Sequence, residues 1–212
     1  RAANRILGNP EGAPGLEATF TGPALRFSHP ATVCVTGAPA PVTVDGQPVP
    51  QWCPVDVPAG AVLDIGTAAG PGLRTYLAIA GGLDVPGYLG SAATFPLGGI
   101  GGYTGRAVAT GDVLVPGSLP TGPGDPDVPR PELSHEWELA VTEGPQPAPE
   151  YFTAADMRQF YETTWTVQSH ADRTGVRLFG PRPRFARPDG GDAGLHPSNV
   201  HDNPYSVGAV NV

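Results

Sequence analysis

The segment Val42-Thr-Val44-Asp45-Gly46 decides the fold class of this 212-residue chain. A run of β-branched residues meets Asp-Gly, a dipeptide that favours the positive backbone angles of a two-residue hairpin turn. Such a turn reverses the chain between two antiparallel strands. The segment therefore predicts a β-hairpin.

Short apolar runs separated by glycine and proline extend this pattern in both directions. The first half predicts further strands at residues 16–20, 32–36, 62–65, 74–80 and 113–115. The second half predicts strands at residues 137–141, 165–168, 176–179 and 207–210. The chain holds 30 Gly and 27 Pro, and both residues break helices, which excludes a helical bundle. A mostly β fold follows.

One helix is predicted in the second half. Thr153-Ala-Ala-Asp156 has the spacing of a capping box, in which a hydroxyl and a carboxylate satisfy the first N–H groups of a helix. Met157, Phe160 and Tyr161 follow at helical spacing. We therefore expect few helices, and short ones.

A proline-rich segment divides the chain. Residues 116–131 contain six Pro and three Gly, a composition typical of linkers that bury no core. This predicts a first β-rich subdomain at residues 1–115, a linker at residues 116–131 and a second β-rich subdomain at residues 132–212.

A faint internal repeat crosses this linker. Gly22-Pro23-Ala-Leu-Arg26-Phe27 matches Gly180-Pro181-Arg-Pro-Arg184-Phe185 at an offset of 180 − 22 = 158 residues. Each copy follows an alternating strand pattern. Two explanations stay open: a chance match, or a duplication that placed one related unit on each side of the linker.

Charge and cysteine content exclude several functional classes. The formal net charge is −8, and all 12 cationic residues are Arg, which disfavours binding to nucleic acid or to an anionic membrane surface. Without Lys, the chain has no Schiff-base residue and no P-loop lysine. The two Cys form no metal-binding motif, so no metal is expected. The low cysteine content and the absence of a signal peptide or long apolar run indicate a cytoplasmic protein.

Polar residues are concentrated at residues 189–203, which hold two His, three Asp, two Asn and one Ser. His196 and His201 have the chemistry of metal ligands or of an acid–base pair. Their i, i+5 spacing is not that of a helical zinc motif, and Pro197 argues against a helix. The alternative interpretation is a polar loop whose side chains cap their own turns.

A glycine-rich loop occupies residues 98–102. Its backbone N–H groups are candidates for binding an anion. A glycine-rich β-turn is the alternative, because the spacing is not that of a dinucleotide-binding loop. No nucleophile-elbow motif is present.

Several motifs resemble one family. The stretch Ser169-His-Ala-Asp172-Arg173-Thr-Gly175-Val-Arg177-Leu-Phe-Gly180-Pro181 is similar to the SDRMGxRLxGP motif of the allophanate hydrolase subunit 2 family, which includes KipA and a 5-oxoprolinase subunit. In this sequence His170-Ala171 separates Ser169 from Asp172, whereas Ser and Asp are adjacent in the family motif. Residues 4–17, 75–86 and 89–99 resemble three further hallmarks of that family.

The stretch at residues 189–211 is the most discriminating. Its His196-Pro197-Ser198-Asn199-Val-His201-Asp202 form resembles the carboxyltransferase domain of urea carboxylase and urea amidolyase. The resemblance covers essentially the whole chain.

The resemblance implies two related cyclophilin-like β-barrel subdomains and a subunit 1 or KipI-type partner in a hetero-oligomer. It implies transfer of a carboxyl group from carboxybiotin, held by a partner protein, to a small urea-like or amide substrate. One alternative is a 5-oxoprolinase subunit in ATP-dependent lactam hydrolysis. Another is a KipA-type regulator of a kinase inhibitor. No cofactor is expected to bind tightly to this chain.

Residue chemistry within these motifs indicates the candidate site. We expect four catalytic residues: His196, His201, Asn199 and Arg173. We expect seven substrate-binding residues: Arg177, Asp189, Ser198, Asp202, Gly98, Gly99 and Tyr103. The polar loop, the Arg173/Arg177 segment and the glycine-rich loop are expected to converge on one cleft between the two subdomains.

Overall fold

In the computed structural model, the Asp45-Gly46 turn joins β4 (Val42–Val44) to β5 (Gln47–Pro48) as an antiparallel hairpin. Asp45 has φ 48° and Gly46 has φ 77°, the positive angles that this two-residue turn requires. The N–H of Val62 donates to Oδ1 of Asp45 at 2.8 Å, which ties the turn to the next strand of the sheet. The predicted hairpin is confirmed.

The structure describes residues 1–146, 148–187, 191–197, 199–201 and 206–210. The other strands of the first half are β1 (Leu16–Thr19), β2 (Ala24–Arg26), β3 (Ala31–Gly37), β6 (Val55–Val57), β7 (Val62–Ile65) and β8 (Arg74–Ile79). They form two four-stranded antiparallel sheets, ordered β1-β8-β3-β6 and β2-β7-β4-β5. The mostly β fold is confirmed.

The core of this region follows the two-residue period of the strands. Val33 and Val35 of β3 and Leu77 of β8 belong to one buried cluster, which also contains Leu63 and Ile65 of the other sheet. The intervening residue on each strand points to the opposite face. On that opposite face Cys34 of β3 and Ala78 of β8 are buried as well, whereas Tyr76 of β8 is 42% exposed.

Helix α1 (Ala2–Ile6) covers that opposite face. Ala3 and Ile6 pack there with Cys34 of β3 and Ala78 of β8. The helix is only 5 residues long, too short to be stable alone, so packing must hold it in place.

Two buried asparagines fix the chain after α1. Asn4 donates through Nδ2 to the carbonyl of Ala13 at 2.8 Å. Asn9 donates through Nδ2 to the carbonyl of Ile79 at 2.8 Å and accepts the N–H of Gly81 at 2.9 Å. This network joins the N-terminal segment to the end of β8, which gives that motif a structural role.

The proline-rich segment 116–131 lies against the first half of the chain. The N–H of Gly122 donates to the carbonyl of Gly8 at 2.7 Å, and the N–H of Asp125 donates to the carbonyl of Arg5 at 3.0 Å. Arg5 and Asp125 also form an ion pair at 2.5 Å. These contacts join the segment to α1 and to the turn that follows it.

Two compact units result, Arg1–Trp137 and Glu138–Val212. The first unit ends at residue 137. Residues 116–131, whose composition predicts a linker, therefore belong to the first unit. The subdomain boundaries at residues 1–115 and 132–212 stay a prediction.

The second unit contains α2 (Ala154–Glu162), β9 (Thr166–Val167) and β10 (Leu178–Phe179) among its described residues. The predicted capping box is confirmed, because Thr153 Oγ1 accepts the N–H of Asp156 and the carboxylate of Asp156 accepts the N–H of Thr153. Strands β9 and β10 form a two-stranded antiparallel ladder, shorter than the predicted runs.

Three predicted strands are wrong. Residues 113–115 form no strand, although the carbonyl of Val115 accepts the N–H of Asp84 at 2.8 Å. Residues 137–141 also form no strand, and Leu139 is 75% exposed. In the third run, Val207 and Gly208 form a turn instead, closed by the N–H of Ala209 on the carbonyl of Ser206. Next to Val115, Leu83 and Pro116 form an isolated antiparallel bridge that does not extend into a ladder. Among the described residues, 137–141 and 207–210 join no sheet.

The two copies of the repeat differ in their surroundings. Gly22 lies between β1 and β2, and Phe27 is buried in the core of the first unit. Gly180 follows β10, and no strand follows it among the described residues up to 187. Phe185 has φ 57°, an unusual angle for an aromatic residue. Two related barrels therefore stay a prediction.

Candidate functional site

A side-chain hydrogen bond between Tyr151 and Asp192 helps to anchor the polar loop in the second unit. Tyr151, which is buried, donates its hydroxyl hydrogen to Oδ2 of Asp192. The N–H of Ala186 donates to the carbonyl of Tyr151 at 2.8 Å. Tyr151 thus joins the segment that leads into α2, the segment after β10 and the polar loop.

Arg187 completes this anchor. Its Nη1 donates to Oδ1 of Asp192 at 2.9 Å, and its guanidinium lies 5.1 Å from the centre of the Tyr151 ring. The Tyr151 hydroxyl and then Arg187 hold the pKa of Asp192 below its usual range, and the charge of His201 contributes in the same direction. The same hydrogen bond raises the pKa of Tyr151. Asp192 is therefore ionised at neutral pH.

Backbone and amide hydrogen bonds close the loop on itself. The carbonyl of Asn199 accepts the N–H of Asp192 at 3.0 Å, and the N–H of Asn199 donates to the carbonyl of His196 at 2.9 Å. The side-chain amide of Asn199 donates to the carbonyl of Gly194. These contacts agree with the interpretation of residues 189–203 as a loop that caps its own turns.

Both histidines of the loop are exposed. The ring of His196 meets the ring of Phe185 edge-on, with centroids 5.1 Å apart. His201 lies close enough to Asp192 to influence its ionisation. An ionised carboxylate near an imidazole is an arrangement suited to proton transfer. The predicted residues Asp189, Ser198 and Asp202 lie outside the described residues.

A second carboxylate fixes the N-terminus of α2. Asp156 is buried, and its Oδ1 accepts the N–H of Arg184 at 2.9 Å while its Oδ2 accepts the Thr153 hydroxyl at 2.6 Å. These bonds, led by that from Arg184, lower the pKa of Asp156. The helix is thereby tied to the segment that carries Phe185 and Arg187.

The motif around Arg173 forms the connection between β9 and β10. Oδ1 of Asp172 accepts the N–H of Thr174 at 2.7 Å and that of Gly175 at 3.2 Å, and these bonds lower the pKa of Asp172. Arg173 lies within this turn, whereas Arg177 directly precedes β10. Both arginines are exposed. They do not share one strand face, because the turn intervenes.

The glycine-rich loop belongs to the first unit. Phe95 and Ile100 pair through two backbone hydrogen bonds around a short 3-10 helix, Pro96–Gly98. Gly99 has φ 63° with open space beside it. Gly105 has φ 71°, and a Cβ there would overlap the carbonyl oxygen of Gly99. The loop needs glycine for its own close contacts.

Tyr103 follows this loop and packs against an ion pair. The Arg106 guanidinium lies 5.8 Å from the centre of its ring and donates to both carboxylate oxygens of Asp112, at 2.7 and 2.8 Å. The Arg106 side chain and then the Ala109 N–H lower the pKa of Asp112 to about 2. The pair closes the base of the loop.

Within the second unit the structure brings His196, Asn199 and His201 together with Asp192. The predicted Gly98, Gly99 and Tyr103 lie in the first unit, so convergence on one cleft stays a prediction. Sequence reasoning missed two residues of the anchor, Tyr151 and Arg187. No spacing signal marks Tyr151, because it lies 41 residues from Asp192.

The described residues show neither a metal-binding cluster nor a membrane span. They contain no group of three or more His, Cys, Asp or Glu side chains arranged to hold a metal ion. Among the same residues, no helix has the length and apolar character needed to cross a membrane.

Comparison with known proteins places these features in context. Residues 1–212 match the family described as "Carboxyltransferase domain, subdomain A and B". The chain is 44% identical over 220 residues to urea amidolyase of Saccharomyces cerevisiae, an alignment that covers 100% of this chain and 12% of that protein. It is 32% identical over 182 residues to a 5-oxoprolinase subunit of Escherichia coli, covering 85% of this chain and 57% of the relative.

A solved structure gives the same result for the fold. The crystal structure of Kluyveromyces lactis urea carboxylase superposes with a TM-score of 0.91 at 41% identity, over 99% of this chain and 20% of that chain. The chain therefore spans a minor part of the urea amidolyase and urea carboxylase chains that it matches.

Proposed function

Because the chain belongs to the family of carboxyltransferase domains, subdomains A and B, we propose that it acts in the carboxyl-transfer step of a urea carboxylase-type enzyme. The acceptor is urea or a small urea-like amide. The chain performs this step as part of a larger assembly, because it matches only a minor part of its urea amidolyase relative.

The similarity to urea amidolyase over the whole chain carries the proposal. It includes the polar loop with His196, Asn199 and His201. The similarity to the 5-oxoprolinase subunit is lower and covers less of the chain. Carboxyl transfer to a urea nitrogen therefore ranks above opening of a lactam ring.

The chemistry of the step fits the side chains of the second unit. A nitrogen nucleophile must lose a proton as it attacks, and His196 or His201 is placed in the loop to accept it. Asp192, whose pKa is lowered, belongs to the same loop as both histidines. Asn199 maintains the loop through its bond to Gly194 rather than by contacting substrate.

A carboxylated biotin, held by another protein or domain, would supply the activated carboxyl group. Its negative charge requires cationic donors. Arg173 and Arg177 fit that requirement, because both are exposed beside one turn and guanidinium groups bind carboxylates through paired hydrogen bonds. We assign them to holding the carboxyl group.

The proposal extends to a partner. The E. coli relative is named as a subunit, and the urea amidolyase relative is far longer than this chain. We propose that the chain works with a subunit 1 or KipI-type protein or domain. Co-purification with such a partner tests this part separately.

A second candidate is 5-oxoproline as substrate, which the 32% identity to the 5-oxoprolinase subunit favours. In that case the same loop would act on a cyclic amide with ATP used by the complex.

One experiment separates the candidates. The complex with its partner is assayed with a carboxylated biotin carrier and urea, and separately with ATP and 5-oxoproline. Formation of allophanate from urea, without turnover of 5-oxoproline, supports the proposal. Turnover of 5-oxoproline without urea carboxylation supports the second candidate, and no turnover of either substrate by an intact complex rejects both.

A further inference from the structure

The sequence has two cysteines, Cys34 and Cys53, and both belong to the first unit. Both are free thiols. Strands β3 and β6 pair with Val33 opposite Val55. Beyond the end of that ladder, the N–H of Trp52 donates to the carbonyl of Val35 at 2.8 Å.

Between these two contacts, the β3 side and the opposite segment have different numbers of residues. Cys34 is the single residue on the β3 side, whereas Cys53 and Pro54 both lie on the other side. Two residues opposite one is the arrangement of a β-bulge. Opposed residues in antiparallel pairs have Cα atoms about 4.5–5.5 Å apart. That separation lies within the range that a disulfide bridges, about 4.4–6.8 Å.

The two thiols differ in exposure. Cys34 is fully buried on the face covered by α1, and Trp52 packs against the same cluster. Cys53 is partly exposed, with its sulfur 3.9 Å from the carbonyl oxygen of Pro50. Burial and then the neighbouring Cys53 raise the pKa of Cys34 to about 12. An external oxidant reaches Cys53 first.

We propose that Cys53 and Cys34 form a reversible intramolecular disulfide when the chain meets a hydroperoxide. The Cys53 thiolate attacks the terminal peroxide oxygen, the O–O bond breaks, and an alcohol or water leaves. Cys53 becomes a sulfenic acid. The sulfur of Cys34 then attacks the sulfur of Cys53, and the departing hydroxyl takes the Cys34 proton to form water. Two thiols are oxidised and one hydroperoxide is reduced.

This bond would fasten the bend at Trp52 to the centre of β3. Trp52 has φ 64°, an angle that side-chain-bearing residues rarely adopt, and the guanidinium of Arg130 lies 5.9 Å from the centre of its ring. The crosslink closes a loop of 53 − 34 = 19 residues. The crosslink lies within the first unit. The proposal of this disulfide does not depend on the proposed carboxyl transfer.

The experiment treats the reduced chain with dilute hydrogen peroxide, alkylates the remaining thiols and identifies the peptides by mass spectrometry. We expect one linked pair, Cys34 with Cys53, two hydrogen atoms lighter than the reduced peptides and separated again by dithiothreitol. A disulfide between two chains through Cys53, or sulfinic acid at Cys53 with Cys34 still alkylated, would overturn the proposal.

Two variants make the result specific. In Cys53→Ser, the buried Cys34 should stay unoxidised under the same treatment. In Cys34→Ala, which places a residue like its neighbours Ala3 and Ala78 in the cluster, the sulfenic acid at Cys53 should persist and react with dimedone. If the wild-type chain accumulates the same dimedone adduct as Cys34→Ala, Cys34 does not resolve the sulfenic acid and the proposal is wrong.

Discussion

The hydroxyl of Tyr151 donates to Oδ2 of Asp192, and this bond ties the polar loop to the segment before α2. It joins residues 41 positions apart, Tyr151 being buried. The loop with the candidate acid–base residues is thus held from outside by a side chain that is not part of the polar motif.

Tyr151→Phe should raise the pKa of Asp192 toward its usual value, because the Tyr151 hydroxyl is the largest cause of its depression. Titration of the carboxyl carbon by NMR measures this. Tyr161→Phe is the matched control, since Tyr161 is an exposed tyrosine on α2. An Asp192 pKa that is equal in both variants would contradict the anchor.

Asp156 should make folding stability sensitive to acid. Its pKa is lowered in the folded chain, so its contribution is present above the ordinary aspartate pKa, about 4, and is lost as pH falls through the lowered value. Asp156→Asn should flatten that part of the stability–pH curve in urea unfolding. Thr153→Ala, which removes one donor, should flatten it less. Identical curves for wild type and Asp156→Asn would refute the assignment.

His196→Ala should lower turnover about a hundredfold or more, the usual cost of losing a general base. Its unfolding free energy should change by no more than about 1 kcal/mol, because the edge-on contact with Phe185 is a weak one. His135→Ala, at an exposed site in the first unit, is the control. Asn199→Ala should reduce both turnover and stability, since its amide supports Gly194. Full activity of His196→Ala would leave His201 as the base.

Asn9→Ala should destabilise the first unit by about 3 kcal/mol, because it leaves buried hydrogen-bonding groups of Ile79 and Gly81 without a partner. Urea denaturation measures the loss. Gln159→Ala, at an exposed position of α2, should change stability by less than about 0.5 kcal/mol. Equal effects of the two substitutions would show that the buried network contributes little.

Two glycines of the glycine-rich region separate backbone strain from crowding. Gly99 and Gly105 have similar positive φ, but of the two only Gly105 has backbone atoms that a Cβ would overlap. Gly99→Ala should cost about 1 kcal/mol from strain alone, and Gly105→Ala clearly more. Thermal unfolding compares them. If Gly99→Ala also abolishes turnover while folding is kept, the loop contacts substrate as the motif predicts.

Much of the first unit was predictable because its signals are local. The Asp45-Gly46 turn and the two-residue alternation around Val33 specify strands and faces without reference to distant residues. The capping box at Thr153 is local as well, and it correctly predicts the start of α2.

The failures share a physical cause. An apolar run becomes a strand only where a neighbouring segment offers a continuous ladder of hydrogen bonds. Beside residues 113–115 the pairing is an isolated bridge, Leu83 with Pro116, and within the described ranges residues 137–141 join no sheet. The proline-rich segment also bonds to the N-terminal part of the chain, and it approaches Gly8 so closely that a Cβ on Gly8 would overlap the carbonyl oxygen of Gly122. Composition does not reveal those pairings.

The sequence by itself determined most strands of the two sheets, though not β2 or β6, together with the capped helix and the family resemblance, because turns, caps and motifs are short-range patterns. Only the tertiary structure decided that Tyr151 and Arg187 hold Asp192, and that Cys34 lies opposite the segment Cys53-Pro54. Such contacts join residues that local patterns do not connect. They depend on strand register and loop closure, which no short motif encodes.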